Sequence, residues 1–202
     1  MSFLASLFLA VAQLTTPVAD IPAKELLERC RQMLPAEVEL NGRIIVRNRR
    51  GIVKSEHTYT YKRAKSELLE LKIDGALIER STKDPFKPLL EGSAVTWSDL
   101  SLDYLNWDDV LYDPKLVGES VHGQKCRVII LRNADRVMRV WLDKKTSALL
   151  QAEETLSGDD KRVRRLWGTR LKKFGERWAP SVMEVEIVGS GLRTKITIEE
   201  LK

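Results

Sequence analysis

The sequence predicts an α+β protein dominated by a strongly curved antiparallel sheet of about ten strands, at the spacing of a sandwich or barrel, with a helix and an apolar helical lid on its concave face. Three observations carry this. From Asp135 to Lys202 apolar and polar residues alternate in runs broken by turn signals, which gives a sheet with one dry and one wet face. The turns recur at hairpin spacing along most of the chain, which favours antiparallel pairing. One amphipathic helix and one long apolar insert are the only strong departures from that pattern.

The 202 residues suffice for one domain with a sizeable core. Charged residues make up 31% and apolar residues 43%, a globular balance and not a disordered one. A net charge of +5 suits an anionic surface as partner but is weak for a dedicated nucleic-acid binder, so no nucleic acid is expected.

The elements are read in chain order. Phe3–Ala12 is an apolar run of signal-peptide length, too short to span a bilayer, with small-residue cleavage sites at Ala10–Ala12 and after Ala19. Residues 1–19 are therefore expected to be a signal peptide and 20–202 a single exported domain, periplasmic in a Gram-negative source. The plainer alternative is a buried N-terminal helix. Ile21–Leu34 places Leu26, Leu27, Cys30 and Leu34 at helical spacing between Pro22 and Pro35. Strands follow at Glu37–Arg47, Ile52–Arg63, Ser66–Ile73 and Ala76–Ser81, with turns at Asn48–Gly51 and Asp74–Gly75.

Asp84–Asp113 breaks the pattern and holds Phe86, Leu89, Leu90, Trp97, Leu100, Leu105 and Trp107, with a short helix opening at Ser98. It is too apolar for a surface loop and should cover the dry face. Strands resume at Lys115, and hairpins turn at His122–Gly123, Asp143–Lys145, Ser157–Asp159, Gly175–Glu176 and Gly189–Gly191.

Candidate sites follow from this layout. The insert reads either as a lid over an apolar cavity or as permanent core. The cavity reading nominates Val38, Leu40, Ile44, Tyr59, Leu69, Leu71, Trp141 and Trp167 from the sheet, with Phe86, Leu89, Leu90, Trp97 and Leu105 from the lid. The basic run around residues 161–173 puts Arg162, Arg164, Arg170 and Lys172 on one strand face and Val163, Trp167 and Leu171 on the other. That basic face reads either as a dock for anionic headgroups or an acidic partner, or as a solvated outer face that deters edge pairing. Cys30 and Cys126 read either as a disulfide or as two small buried apolar residues. Two histidines, His57 and His122, lack metal-ligand spacing. No nucleophile elbow, P-loop or GxGxxG is present. Neither an enzyme, a metal nor a cofactor is expected.

The order of leader, helix, strands and apolar insert, with Gly118-Glu119-x-x-x-Gly123 before an apolar strand, Trp141-Leu142-Asp143-Lys144 and Trp178-x-Pro180, resembles the bacterial outer membrane lipoprotein-sorting proteins, relatives of the periplasmic lipoprotein carrier LolA. The likeness covers most of the chain after the leader and is densest over 117–201. It implies an unclosed barrel plugged by helices and an apolar cavity that shelters acyl chains of lipoproteins or lipids on their way to the outer membrane. The partners it implies are an inner-membrane transporter and an outer-membrane acceptor, for a monomeric carrier. Two other roles stay open: a periplasmic sensor that binds lipoprotein and a signalling protein, and an accessory subunit of an inner-membrane lipid exporter.

Overall fold

A computed structural model describes residues 21–64, 69–79, 87–134, 136–156, 162–174 and 177–202. The leader 1–19 and Phe86 lie outside the described residues, as do the side chains of Leu69 and Arg162. Helix α1 (Ala23–Met33) buries Leu26, Leu27 and Cys30. Twelve strands follow: β1 (Val38–Arg47), β2 (Val53–Arg63), β3 (Leu69–Ile73), β4 (Ala76–Leu77), β5 (Asp109–Tyr112), β6 (Ser120–Val121), β7 (Gln124–Asn133), β8 (Arg136–Asp143), β9 (Leu149–Leu156), β10 (Arg162–Phe174), β11 (Arg177–Ile187) and β12 (Leu192–Leu201). A short helix α2 (Trp97–Ser101) and a 3-10 turn (Asp103–Asn106) precede β5.

The strands form one curved, unclosed antiparallel sheet in the order β4-β3-β2-β1-β12-β11-β10-β9-β8-β7-β5, with β6 paired to β7. Two meanders of hairpin-linked strands meet where β12 pairs with β1, from Leu40↔Leu201 to Arg47↔Arg193. The apolar rows that face α1 and the insert make up the main core. They include Ile44, Leu71, Leu131, Val140, Val185 and Ile196, each at most 1% exposed.

Two local features let the sheet bend. The β1–β12 register shifts between Asn41 and Gly42, and bulges of this kind increase twist. At Gly42 the strands come so close that a Cβ would meet the Thr197 carbonyl oxygen at 1.8 Å. Gly42→Ala must therefore push the two meanders apart, and a loss of about 3 kcal/mol is expected, read as a lower denaturation midpoint at unchanged slope.

Most predicted elements recur, but the strand predicted from Ala76 pairs only over Ala76–Leu77, and the one predicted to resume at Lys115 begins at Ser120. The short helix of the insert starts at Trp97, one residue before the predicted Ser98, capped by Thr96 through a reciprocal capping box with Asp99. The end of the insert adds β5 to the sheet, pairing Asp109–Tyr112 with Ile129–Arg132.

Candidate functional site

The concave face is divided into a sealed part and an open part. In the sealed part the insert lies directly on the sheet. Ala94, Val95, Trp97, Leu100, Tyr104 and Leu105 are buried in the main core, and the Ala94 N–H donates to Thr194 Oγ1 at 2.8 Å. Beneath α2 runs a buried charge network. Arg164 ion-pairs with Asp99 of α2 and, at 3.1 Å, with Glu154 of β9, whose other oxygen pairs with Arg136. Asp99 Oδ2 also accepts from the Thr96 N–H at 2.7 Å and the Thr96 hydroxyl at 2.9 Å. Burial pushes the Glu154 carboxyl above its ordinary range while Arg164 and Arg136 pull it back. Burial also holds the Tyr104 hydroxyl well above the usual phenol value, with Asp99 adding to it. This insert is a seated plug.

The open part lies between the C-terminal end of α1 and the floor made by β9, β10 and β11. It is a groove of ≈ 370 Å³ lined by Cys30, Met33, Leu149, Leu166, Ala179 and Met183, with Leu102 of the insert and Leu201 at its ends. Gln151 is the one polar side chain among the lining residues. Gly168 and Pro180 shape the floor, since a Cβ on Gly168 would meet Pro180 Cγ at 2.9 Å. Met33, half exposed, stands at the rim. The Cys30 thiol faces this apolar space, and burial pushes its pKa up to about 11, so it stays a neutral apolar group.

The nominated residues divide between the faces. Val38, Leu40, Ile44, Tyr59, Leu71, Trp97 and Leu105 are buried in the concave core, and Leu89 and Leu90 pack against it half-buried. They build the wall and plug but do not line the open groove. Trp141 stands on the opposite, convex face. Its neighbours in the strand, Val140 and Leu142, belong to the main core, whereas Trp141 is buried with Val121, Cys126 and Val128 under the β6–β7 hairpin. Trp167 shares that face through the cross-strand row Trp141–Gln151–Trp167, and only borders the groove.

The face assignment of β10 is thus reversed. Arg164 shares the concave face with Leu166 and Phe174 and is neutralised there by Asp99 and Glu154. It is not available for docking. Arg170 and Lys172 are exposed beyond the core, with Lys172 Nζ 4.9 Å from the centre of the Phe174 ring. Alternation alone could not choose the face, because both sets contain large apolar groups.

Cys30 and Cys126 are both free and buried, Cys30 in the main core and Cys126 in the cluster with Trp141. His57 clamps a turn, its Nδ1 2.7 Å from Asp74 Oδ2, and that hydrogen bond with those from Thr58 lowers the Asp74 pKa. The groove residues that sequence reading missed come from α1, the insert and the four strands β9 to β12. The one local hint was Gly168 and Pro180 inside strand patterns, which signals a close approach or an irregular ladder.

An open antiparallel barrel with helices on its concave face is a fold that this chain shares with several solved structures. A putative outer membrane lipoprotein-sorting protein domain from Vibrio parahaemolyticus superposes with a TM-score of 0.68 at 14% identity, over 89% of this chain and 91% of that one. A DUF1329 family protein from Desulfovibrio piger gives 0.63 at 19% identity over 91% and 93%. A LolA superfamily protein from Nitrosomonas europaea gives 0.61 at 14% identity over 91% and 94%. One family model, whose description reads "uncharacterized protein", matches residues 78–202, and the chain belongs to that family. No curated protein matches the sequence. Among the described residues no helix is long and apolar enough to cross a membrane.

Proposed function

We propose that this protein is a non-enzymatic periplasmic carrier that shelters an acyl chain of a lipid or lipidated protein in the α1/β9–β11 groove. The observation that carries the proposal is the groove itself: open, almost wholly apolar, and of the size at which small-molecule sites begin. The fold shared with lipoprotein-sorting and LolA superfamily proteins supports the same reading. Burial of ten methylenes is worth about 8 kcal/mol, which matches a micromolar dissociation constant before ordering costs. Such an affinity holds a chain in water and still releases it. Arg170 and Lys172, exposed two and four residues beyond the floor residue Gly168, meet an anionic headgroup in this reading. In this proposal residues 1–19 direct export, a membrane transporter loads the chain and an outer-membrane acceptor receives it, with the carrier acting as a monomer.

Titration with a fluorescent C16 fatty acid is the test. Saturable uptake with a micromolar constant is expected, with lipid co-purifying from native envelopes and seen by mass spectrometry. If uptake does not saturate and no lipid co-purifies, the groove is only a surface feature of the fold.

A further inference from the structure

At the end of the sheet away from the groove, two hairpin turns stand side by side. One is the β1–β2 turn at Asn48–Ile52. The other is the β11–β12 turn at Val188–Gly191. They are neighbours because β1 pairs with β12 up to Arg47↔Arg193. They also touch, since a Cβ on Gly191 would lie 2.4 Å from Arg49 Cγ. The groove lies at the other end of these strands, near Leu201, which pairs with Leu40.

These turns carry side chains that a soluble turn does not require. Ile52, Val53 and Val188 are 56%, 50% and 39% exposed. They belong to the few large apolar residues outside the core, and here three of them share one corner. Arg49, Arg50 and Lys54 are exposed around them. No acidic residue occurs from Asn48 to Ser55 or from Val188 to Leu192. The nearest carboxylates are engaged elsewhere: Glu56 with Arg43 at 2.8 Å, and Glu186 with Arg193 at 3.2 Å. The β1–β2 turn is also preorganised, because Asn48 Oδ1 accepts from the Arg50 and Ile52 N–H groups at 2.9 and 3.0 Å. Docking would therefore order little new backbone.

We infer that the paired hairpin tips dock the protein on an anionic lipid surface. Three uncompensated cations would face the headgroups while Ile52, Val53 and Val188 enter the boundary between headgroups and acyl chains. Exposed apolar side chains ringed by cations suit the soft boundary between headgroups and acyl chains. In this pose the groove mouth points away from the bound membrane and stays open to cargo. The inference uses none of the groove residues and stands apart from the carrier proposal.

Sedimentation of the full chain with vesicles tests it. Binding to vesicles holding phosphatidylglycerol is expected to exceed binding to pure phosphatidylcholine and to fall steeply with salt. The triple change Arg49→Gln, Arg50→Gln, Lys54→Gln should weaken binding by about fivefold per charge, on the order of a hundredfold in all. Ile52→Ser with Val53→Ser should weaken it about tenfold on the same vesicles. Both tip variants should keep the wild-type melting temperature and fatty-acid uptake, which separates this result from a failure of the groove. Equal binding to neutral and anionic vesicles, or wild-type binding by the triple variant, overturns the inference. So does a photocrosslinker at position 52 that captures a protein rather than lipid in intact envelopes.

Discussion

Arg164→Met is expected to destabilise the protein by about 3–5 kcal/mol, the cost of leaving buried charges without their counter-ion. The guanidinium is buried between α2 and β9, and its partners Asp99 and Glu154 have side chains 6% and 1% exposed. Removing it leaves two carboxylates facing each other's field in a dry interior, with only Arg136 to answer Glu154. A surface ion pair would be worth at most about 1 kcal/mol, so the measured loss distinguishes a seated plug from a loosely resting lid. Urea unfolding gives the number. The triple variant Arg164→Met, Asp99→Asn, Glu154→Gln should recover much of the loss, because neutral partners no longer need a counter-ion. A loss under about 1 kcal/mol for the single variant would show that α2 is not held by this network.

The same network bears on pH. Because burial raises the Glu154 pKa in the folded state, its contribution to stability is present below the ordinary carboxylate value and is lost as pH rises through the raised one. Mild acidification therefore does not release the plug through Glu154. Asp74 has the opposite sign: its pKa is lowered chiefly by the His57 hydrogen bond, so its contribution is present above the ordinary value and fades as pH falls. Asp74 is exposed at the β3–β4 turn, so through it acid loosens that turn.

Much of the fold was legible because it is local. Hairpin turns at Asp74–Gly75, His122–Gly123 and Gly189–Gly191 are marked by residues that accept positive φ, and these positions have it. Alternation in β1 and β2 put Ile44, Tyr59 and Tyr61 on the dry face, where they are. What was not legible depends on long-range partners. Arg164 reads as an outward charge until Asp99, 65 residues earlier, is placed against it. Trp141 reads as a cavity wall until the short β6 hairpin is seen to roof the convex face and give it a second dry pocket. A half-barrel with apolar groups on both faces has no single dry parity, so each strand's face must be fixed by its neighbours. The groove is the extreme case. Cys30, Leu149, Gly168 and Leu201 share no motif, and only the register of β9 to β12 beside the end of α1 brings them together.

Filling the groove is expected to abolish acyl-chain uptake while leaving the fold intact. Ala179 is the best position, being half-buried on β11 at the groove floor beside Pro180. A tryptophan there would project into space that the wild-type side chain leaves open, so the overpacking cost that accompanies enlargement in a sealed core should be small. Fluorescent fatty-acid binding by Ala179→Trp should fall at least tenfold, about 1.4 kcal/mol or more, with a melting temperature within a few degrees of wild type. The Arg164→Met variant supplies the contrast. If the chain bound under α2, loosening the plug would change uptake and Ala179→Trp would not. If it binds in the groove, Ala179→Trp removes uptake, and Arg164→Met keeps it at any temperature where the protein remains folded. The pair of variants thus assigns the chain to one side of the insert, since the buried Asp99–Arg164 contact belongs to the plug and Ala179 to the groove. Uptake unaffected by Ala179→Trp would remove the groove from consideration and return the search to the space that Trp97 and Leu105 now fill.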